Sequence, residues 1–178
     1  MTRAGYVLAG GGSTRMGRDK ALLMGAGVAD AVRAAAGSAT LVGDPERYRV
    51  LGFPVIADLW PGEGPLGGIV TALRHSQADA NLIVACDMPM VCSDFLKQLL
   101  DAWTGGILVP EGPEGRMEPL CAVYGLDALS GLETAFAAGR RKVTAAFEGL
   151  PVTVWRVGEA VHFQNVNTPE EWAGHGAS

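Results

Sequence analysis

The chain has 178 residues, enough for one domain that buries roughly 70% of the surface its unfolded form exposes. Its 48% hydrophobic content with mixed charges excludes disorder, and a net charge of −5 leaves no basic footprint for a nucleic acid partner. No apolar run reaches the length of a membrane span and the N-terminus lacks a signal-peptide pattern, so the expectation is one cytoplasmic domain over residues 1–178 without membrane contact.

Short β-rich runs alternate with longer helical patterns along the sequence. Strands are predicted at Gly5–Ala9, Thr40–Val42, Val55–Ala57, Leu82–Cys86, Ile107–Val109, Cys121–Tyr124 and Val152–Val157. Helices are predicted at Val28–Ala36, Pro45–Leu51, Gly68–His75, Asp94–Trp103, Leu126–Ala138, Lys142–Phe147 and Pro169–Ala173. Such alternation implies an α/β fold, a Rossmann-like three-layer sandwich whose mostly parallel sheet carries helices on both faces. Tyr6–Ala9 and Leu82–Ala85 are apolar throughout, as strands covered on both sides should be. Thr168-Pro169-Glu170-Glu171 combines a capping threonine, a first-position proline and early glutamates, which suits a C-terminal helix docked on the sheet. Cys86, Cys92 and Cys121 show no C-x-x-C spacing, and His75, His162 and His175 are widely scattered, so neither a disulfide framework nor a zinc site is indicated.

The most informative run follows the first strand. Leu8 to Leu23 reads Leu-Ala-Gly-Gly-Gly-Ser-Thr-Arg-Met-Gly-Arg-Asp-Lys-Ala-Leu-Leu. Gly10, Gly11 and Gly12 let the backbone turn sharply and present bare N–H groups, and Arg15, Arg18 and Lys20 bring three cations beside them. A strand ending in bare amides and clustered cations is built to hold a polyphosphate. Spacing rules out two familiar motifs. Arg15 stands where a dinucleotide fingerprint needs its last glycine, and Arg18-Asp19 follow where a P-loop needs Lys-Ser/Thr. Asp87 ends the hydrophobic strand before Met88-Pro89, a position that suits Mg²⁺, a hard cation taking one or two carboxylates with phosphate oxygens. The competing reading makes it a turn or capping aspartate. Gly10, Gly43, Asp58 and Asp87 all follow predicted strands and so fall on one sheet edge.

This signature resembles that of nucleotidyltransferases, and most closely that of molybdenum cofactor guanylyltransferases, the molybdopterin-guanine dinucleotide biosynthesis protein A family. Three further segments carry the narrower match: Asp58 through Gly68, Ala85-Cys86-Asp87-Met88-Pro89, and Asn165-Val166-Asn167-Thr168-Pro169-Glu170-Glu171. The resemblance implies a nucleotide-diphospho-sugar transferase type of fold, GTP and molybdopterin as substrates, Mg²⁺ as cofactor with Asp87 as its ligand, and guanine or ribose contacts at Leu8, Ala9, Gly10, Gly43 and Asp58. Contact with cofactor-biosynthesis or molybdoenzyme-maturation proteins would be transient. Lys20 and Arg15 would join Asp87 in catalysis as charges on the triphosphate, with Arg18 divided between phosphate and solvent. Asp58 alternatively caps the turn after it. At Gly43 the sequence departs from an asparagine often found in the family, which excludes a side-chain contact there.

The glycines of Pro65-Leu66-Gly67-Gly68 allow a ligand close to a helix N-terminus, although an ordinary loop-to-helix junction reads the same way. Asn165 and Asn167 share one face of an extended segment, placed by the resemblance at the acceptor end of the cleft; alone they would be turn formers. Arg140-Arg141-Lys142 offers either an acceptor-phosphate site or, more commonly, a solvated helix end. A second departure is expected over Met24–Gly37, where the loop and helix following the signature look abbreviated. The runner-up activities are the same chemistry with CTP or on a sugar phosphate; a catalytically silent nucleotide-binding regulator is the alternative outside enzymes, opposed by the presence of both Asp87 and Lys20.

Overall fold

A computed structural model of the chain describes residues 1–10, 19–159, 161–164 and 169–175. Seven strands are described: β1 (Arg3–Leu8), β2 (Thr40–Val42), β3 (Val55–Ile56), β4 (Ala80–Ala85), β5 (Ile107–Glu111), β6 (Cys121–Gly125) and β7 (Val152–Arg156). They form one sheet in the order β3-β2-β1-β4-β6-β5-β7. All pairings are parallel except those of β6 with β4 and β5. Each strand predicted from sequence is present, with Thr40–Val42 matching at both ends. The alternation of side chains explains why. Val7, Leu41, Leu82, Val84 and Val123 point to one core, while Tyr6, Leu8, Val42, Ile83 and Tyr124 point to the other.

Helices α1 (Lys20–Ala36) and α4 (Ser93–Ala102) cover the first face; α3 (Pro65–His75), α5 (Leu129–Ala137) and a 3₁₀ turn at Val143–Phe147 cover the second. A short α2 (Pro45–Tyr48), continued by a 3₁₀ turn at Arg49–Leu51, links β2 to β3, and α6 (Pro169–His175) follows near the C-terminus. The three-layer sandwich expected from the alternation is therefore the observed architecture. Asn81, fully buried in β4, is satisfied by the carbonyls of Ala78 and Tyr124 (3.1 Å each) and by Ser76 Oγ.

Helix α1 corrects one expectation. The helix predicted from Val28 is 17 residues long and starts at Lys20, eight residues before the predicted start, so residues 24–36 lie within it. Gly25 and Gly27 lower intrinsic helix propensity in the first half and hide the pattern. Capping and packing override them: Asp19 accepts a hydrogen bond from Ala21 N–H (2.9 Å), and Ala21, Met24, Val28 and Val32 are buried.

Chain order explains where a ligand site must form. From β1 the chain moves outward to β2 and β3, then returns to place β4 on the opposite side of β1. The helices that follow β1 and β3, α1 and α3, lie on opposite faces of the sheet, and a crevice opens between them at the carboxyl ends of the strands.

Candidate active site

The crevice is a cleft of about 350 Å³ lined by strand ends and two loops. Leu8, Ala9 and Gly10 from β1 and Ala85, Cys86 and Asp87 from β4 form its floor, stitched by Cys86 N–H donating to the Leu8 carbonyl (3.1 Å). Leu120 closes one side, because antiparallel β6 begins at the edge where β4 ends. Asp58, Gly62, Gly64 and Pro65 form one wall, and Asp19 with Ala21 forms another. Of the residues singled out from sequence, Leu8, Ala9, Gly10, Asp58 and Asp87 thus converge on one cavity.

Asp58 divides its two oxygens. Oδ1 accepts from Trp60 N–H (2.9 Å) and lies 3.2 Å from the Thr71 hydroxyl. That hydroxyl accepts from Leu59 N–H (3.2 Å) and shares its single proton between Asp58 and the Gly67 carbonyl (2.9 Å). Oδ2 faces Gly10, where an added Cβ would lie 3.8 Å from it. The turn-capping role and a ligand role are therefore compatible: one oxygen holds the turn and the other faces the floor of the cleft.

The family model of the MobA-like NTP transferase domain matches residues 5–154, which contain the floor and both walls of this cleft. The chain belongs to this family. A relative from Deinococcus radiodurans, named "Probable molybdenum cofactor guanylyltransferase", is 36% identical over 177 residues, covering 94% of this chain and 90% of its own. One of the same name from Flavobacterium johnsoniae is 30% identical, covering 93% and 92%. Among solved structures, the molybdopterin-guanine dinucleotide biosynthesis protein A of Archaeoglobus fulgidus superposes with a TM-score of 0.78 at 28% identity, covering 96% of this chain and 95% of that one. A Thermus thermophilus 2-C-methyl-D-erythritol 4-phosphate cytidylyltransferase, at 16% identity and TM-score 0.68 over 97% and 96% of the two chains, shares the fold.

Within this NTP transferase domain, two predicted site residues sit away from the cavity. Gly43 is buried at the end of β2 with its N–H donated to the Ile56 carbonyl (2.9 Å). An added Cβ there would meet the Tyr48 ring at 2.8 Å, so the ring fills the space an asparagine side chain would need. Gly67 lies in the first turns of α3, and the side on which a side chain would stand faces Trp60 and Phe136, both 3.4 Å from an added Cβ. It permits helix packing, and the glycines at the cleft are instead Gly62 (φ 81°) and Gly64 (φ 91°), whose positive φ suits no other residue well. Gly11, Gly12, Arg15, Arg18, Asn165, Asn167 and Thr168 lie outside the described residues, as does the side chain of Lys20. Arg140 and Arg141 do not line the cleft. They pair with Glu148 (2.6 Å) and Glu63 (2.9 Å) beyond the end of α5.

Sequence reading missed Asp19 as a cleft residue. Its carboxylate is only 6% exposed, accepts from Ala21 N–H (2.9 Å) and the Tyr48 hydroxyl (2.9 Å), and forms an ion pair with Arg47 (2.5 Å). Burial, and then bonding to Asp19, push the Tyr48 hydroxyl well above its ordinary value, so it stays a proton donor to that carboxylate. The helix-capping signal of an aspartate before Lys-Ala-Leu-Leu was present in the sequence. The partner 29 residues away had no local signal.

Among the described residues, no group of three or more His, Cys, Asp or Glu could enclose a metal ion, and no helix is long and apolar enough to cross a membrane. Asp87 after β4 contributes a carboxylate to the cleft, the donor type a hard cation takes alongside phosphate oxygens and water.

Proposed function

We propose that the chain transfers GMP from GTP to the terminal phosphate of molybdopterin, with or without bound molybdenum, giving the guanine dinucleotide form of the cofactor and pyrophosphate. One observation carries the reading. Family membership over residues 5–154 coincides with a switch-point cleft that gathers Gly10, Asp58 and Asp87 at adjoining strand ends. An oxygen of the acceptor phosphate forms a bond to the α-phosphorus of GTP. The bond from that phosphorus to the bridging oxygen breaks, and pyrophosphate leaves with the electron pair. The attacking phosphate is already anionic, so no side chain need act as general base.

Catalysis then rests on alignment and on neutralising charge that builds on the α-phosphate. Backbone amides following Leu8, together with Lys20 and Arg15, would bind the triphosphate as donors and charges. Asp87 would hold Mg²⁺, which when bound supplies charge neutralisation at the phosphates. Asp58 Oδ2, beside Gly10, would accept from the ribose or the guanine edge. A site that hydrogen-bonds a base edge leaves groups unpaired with the wrong base, which makes selectivity measurable. The test is titration of GTP, CTP, ATP and UTP with Mg²⁺, followed by pyrophosphate release with and without molybdopterin. GTP should bind most tightly, and release should require molybdopterin. Equal affinity for GTP and CTP refutes the guanine assignment; release without acceptor refutes the transfer.

A further inference from the structure

The wall formed by residues 59–64 has two faces. Gly62 and Gly64 face the nucleotide cleft, whereas Trp60 and Glu63 line a separate depression of about 490 Å³ with Arg74, Glu133, Phe136 and Arg141 on the outer side of the domain. Little inside the segment holds it. The 60–63 turn contributes one backbone bond, Glu63 N–H to the Trp60 carbonyl (3.1 Å), and Gly64 caps α3 without any side chain. Its remaining anchors are Asp58, which accepts from Trp60 N–H (2.9 Å), Thr71 of α3, which accepts from Leu59 N–H (3.2 Å), and side chains at the end of α5.

Arg141 is the most highly connected of these anchors. Its Nε (3.0 Å) and one terminal nitrogen (2.9 Å) both reach Glu63 Oε2. The other terminal nitrogen donates to the Phe136 carbonyl (2.9 Å), and the guanidinium lies 4.2 Å from the centre of the Phe136 ring. That ring meets Trp60 at 4.9 Å, and Arg74, itself paired with Glu133 (2.5 Å), lies 5.0 Å from the Trp60 ring. An arginine 78 residues further along the chain thus grips the cleft wall through Glu63 and through a ring stack.

We propose that Arg141 is a positioning residue for nucleotide binding: through Glu63 it latches residues 59–64 in the conformation that forms the cleft wall. The proposal rests on the nucleotide reading given above. It assigns the second of three consecutive cations to the wall of the donor site, not to an acceptor phosphate. Arg140, bonded to Glu148 and the Ala145 carbonyl, supplies an internal control because it does not touch the wall.

Glu63 and Arg141 are about half exposed, so the latch should modulate affinity and not decide folding. Arg141→Ala and Glu63→Gln should each raise the GTP dissociation constant, and the KM for GTP, by about 2–5-fold with kcat little changed. Arg140→Ala should leave both unchanged. The difference between wild type and Arg141→Ala should shrink at high salt, because a half-exposed pair is screened. Combining Glu63→Arg with Arg141→Glu should restore much of the affinity.

Hydrogen exchange provides a readout that needs no nucleotide: amides of 59–64 should exchange faster in Arg141→Ala, with circular dichroism and thermal melting unchanged. Unchanged exchange overturns the latch. Faster exchange with wild-type GTP affinity and KM overturns the positioning role. Wild-type protein that binds no GTP refutes the proposed function instead, and the exchange result then decides the latch alone.

Discussion

Removing the Asp19 carboxylate should destabilise the protein far more than its place at a loop end suggests. Asp19→Ala deletes the cap of α1, worth about 1 kcal/mol, and leaves the hydroxyl of Tyr48, a residue only 4% exposed, without its acceptor, at about 1–3 kcal/mol. The Arg47 pair adds little, since that guanidinium is 57% exposed and rehydrates. The expected loss is about 2–4 kcal/mol, which for a domain of this size lowers Tm by roughly 5–15 °C. Tyr48→Phe removes one bond while leaving the cap and Arg47 in place, so it should cost about 1 kcal/mol. Urea unfolding followed by circular dichroism on the two single variants and the double variant measures the coupling between them. The double variant should be less destabilised than the two single losses added together. A loss below about 0.5 kcal/mol for Asp19→Ala, or fully additive effects, would refute the buried-anchor account of this carboxylate.

Three further outcomes test the site and its surroundings. Asp87→Asn keeps the size of the side chain and removes the charge a hard cation needs, so pyrophosphate release should fall by orders of magnitude while the melting profile holds. Near-normal Mg²⁺-dependent turnover by the folded variant would place the metal elsewhere. Thiol labelling should proceed fastest at exposed Cys92, be slowed at cleft-lining Cys86 by GTP with Mg²⁺, and reach Cys121 only on unfolding, since burial raises that thiol and shields it; peptide mapping of the labelled protein reads all three. Burial raises the Glu118 carboxyl above its ordinary range against the opposing pull of Arg116. The folded state then holds that proton more tightly than the unfolded chain, so the contribution favours folding below the ordinary glutamate value and is lost as pH rises through the raised one. Glu118→Gln should therefore flatten the pH dependence of Tm across that window.

What was legible in the sequence follows the reach of each interaction. The seven strands were visible because strand burial is local: Tyr6, Val7 and Leu8 point alternately into two cores, so a short continuous apolar run marks a strand covered on both faces. Gly10, Asp58 and Asp87 could be assigned to one edge because parallel connections force strand ends together. Tertiary effects were not legible. Gly25 and Gly27 concealed the start of α1, whose stability comes from buried Ala21, Met24 and Val28. The reversal of β6, which brings Leu120 to the cleft, has no local marker. The three-cation run at 140–142 read as a phosphate site or a solvated end; pairing with Glu63 and Glu148 is decided by residues remote or on a later turn.

The two walls of the cleft are held by physically different devices, and this difference bears on how the site responds to its surroundings. Both use an aspartate or glutamate gripped by an arginine, yet Asp19 is 6% exposed and Glu63 is 50% exposed. Asp19 also satisfies a helix terminus and a buried hydroxyl, so its attachment belongs to the folded core and is screened little by salt. The Glu63 wall is tied at its start through Asp58 and Thr71 and by one turn bond, but Glu63 itself is held by the exposed pair, whose hold weakens as ions compete for it. The Asp19 attachment should therefore be insensitive to salt, while the hold on Glu63 should loosen as ionic strength rises. The exposure of the Glu63–Arg141 pair thus makes this the side of the cleft whose hold depends on ionic strength.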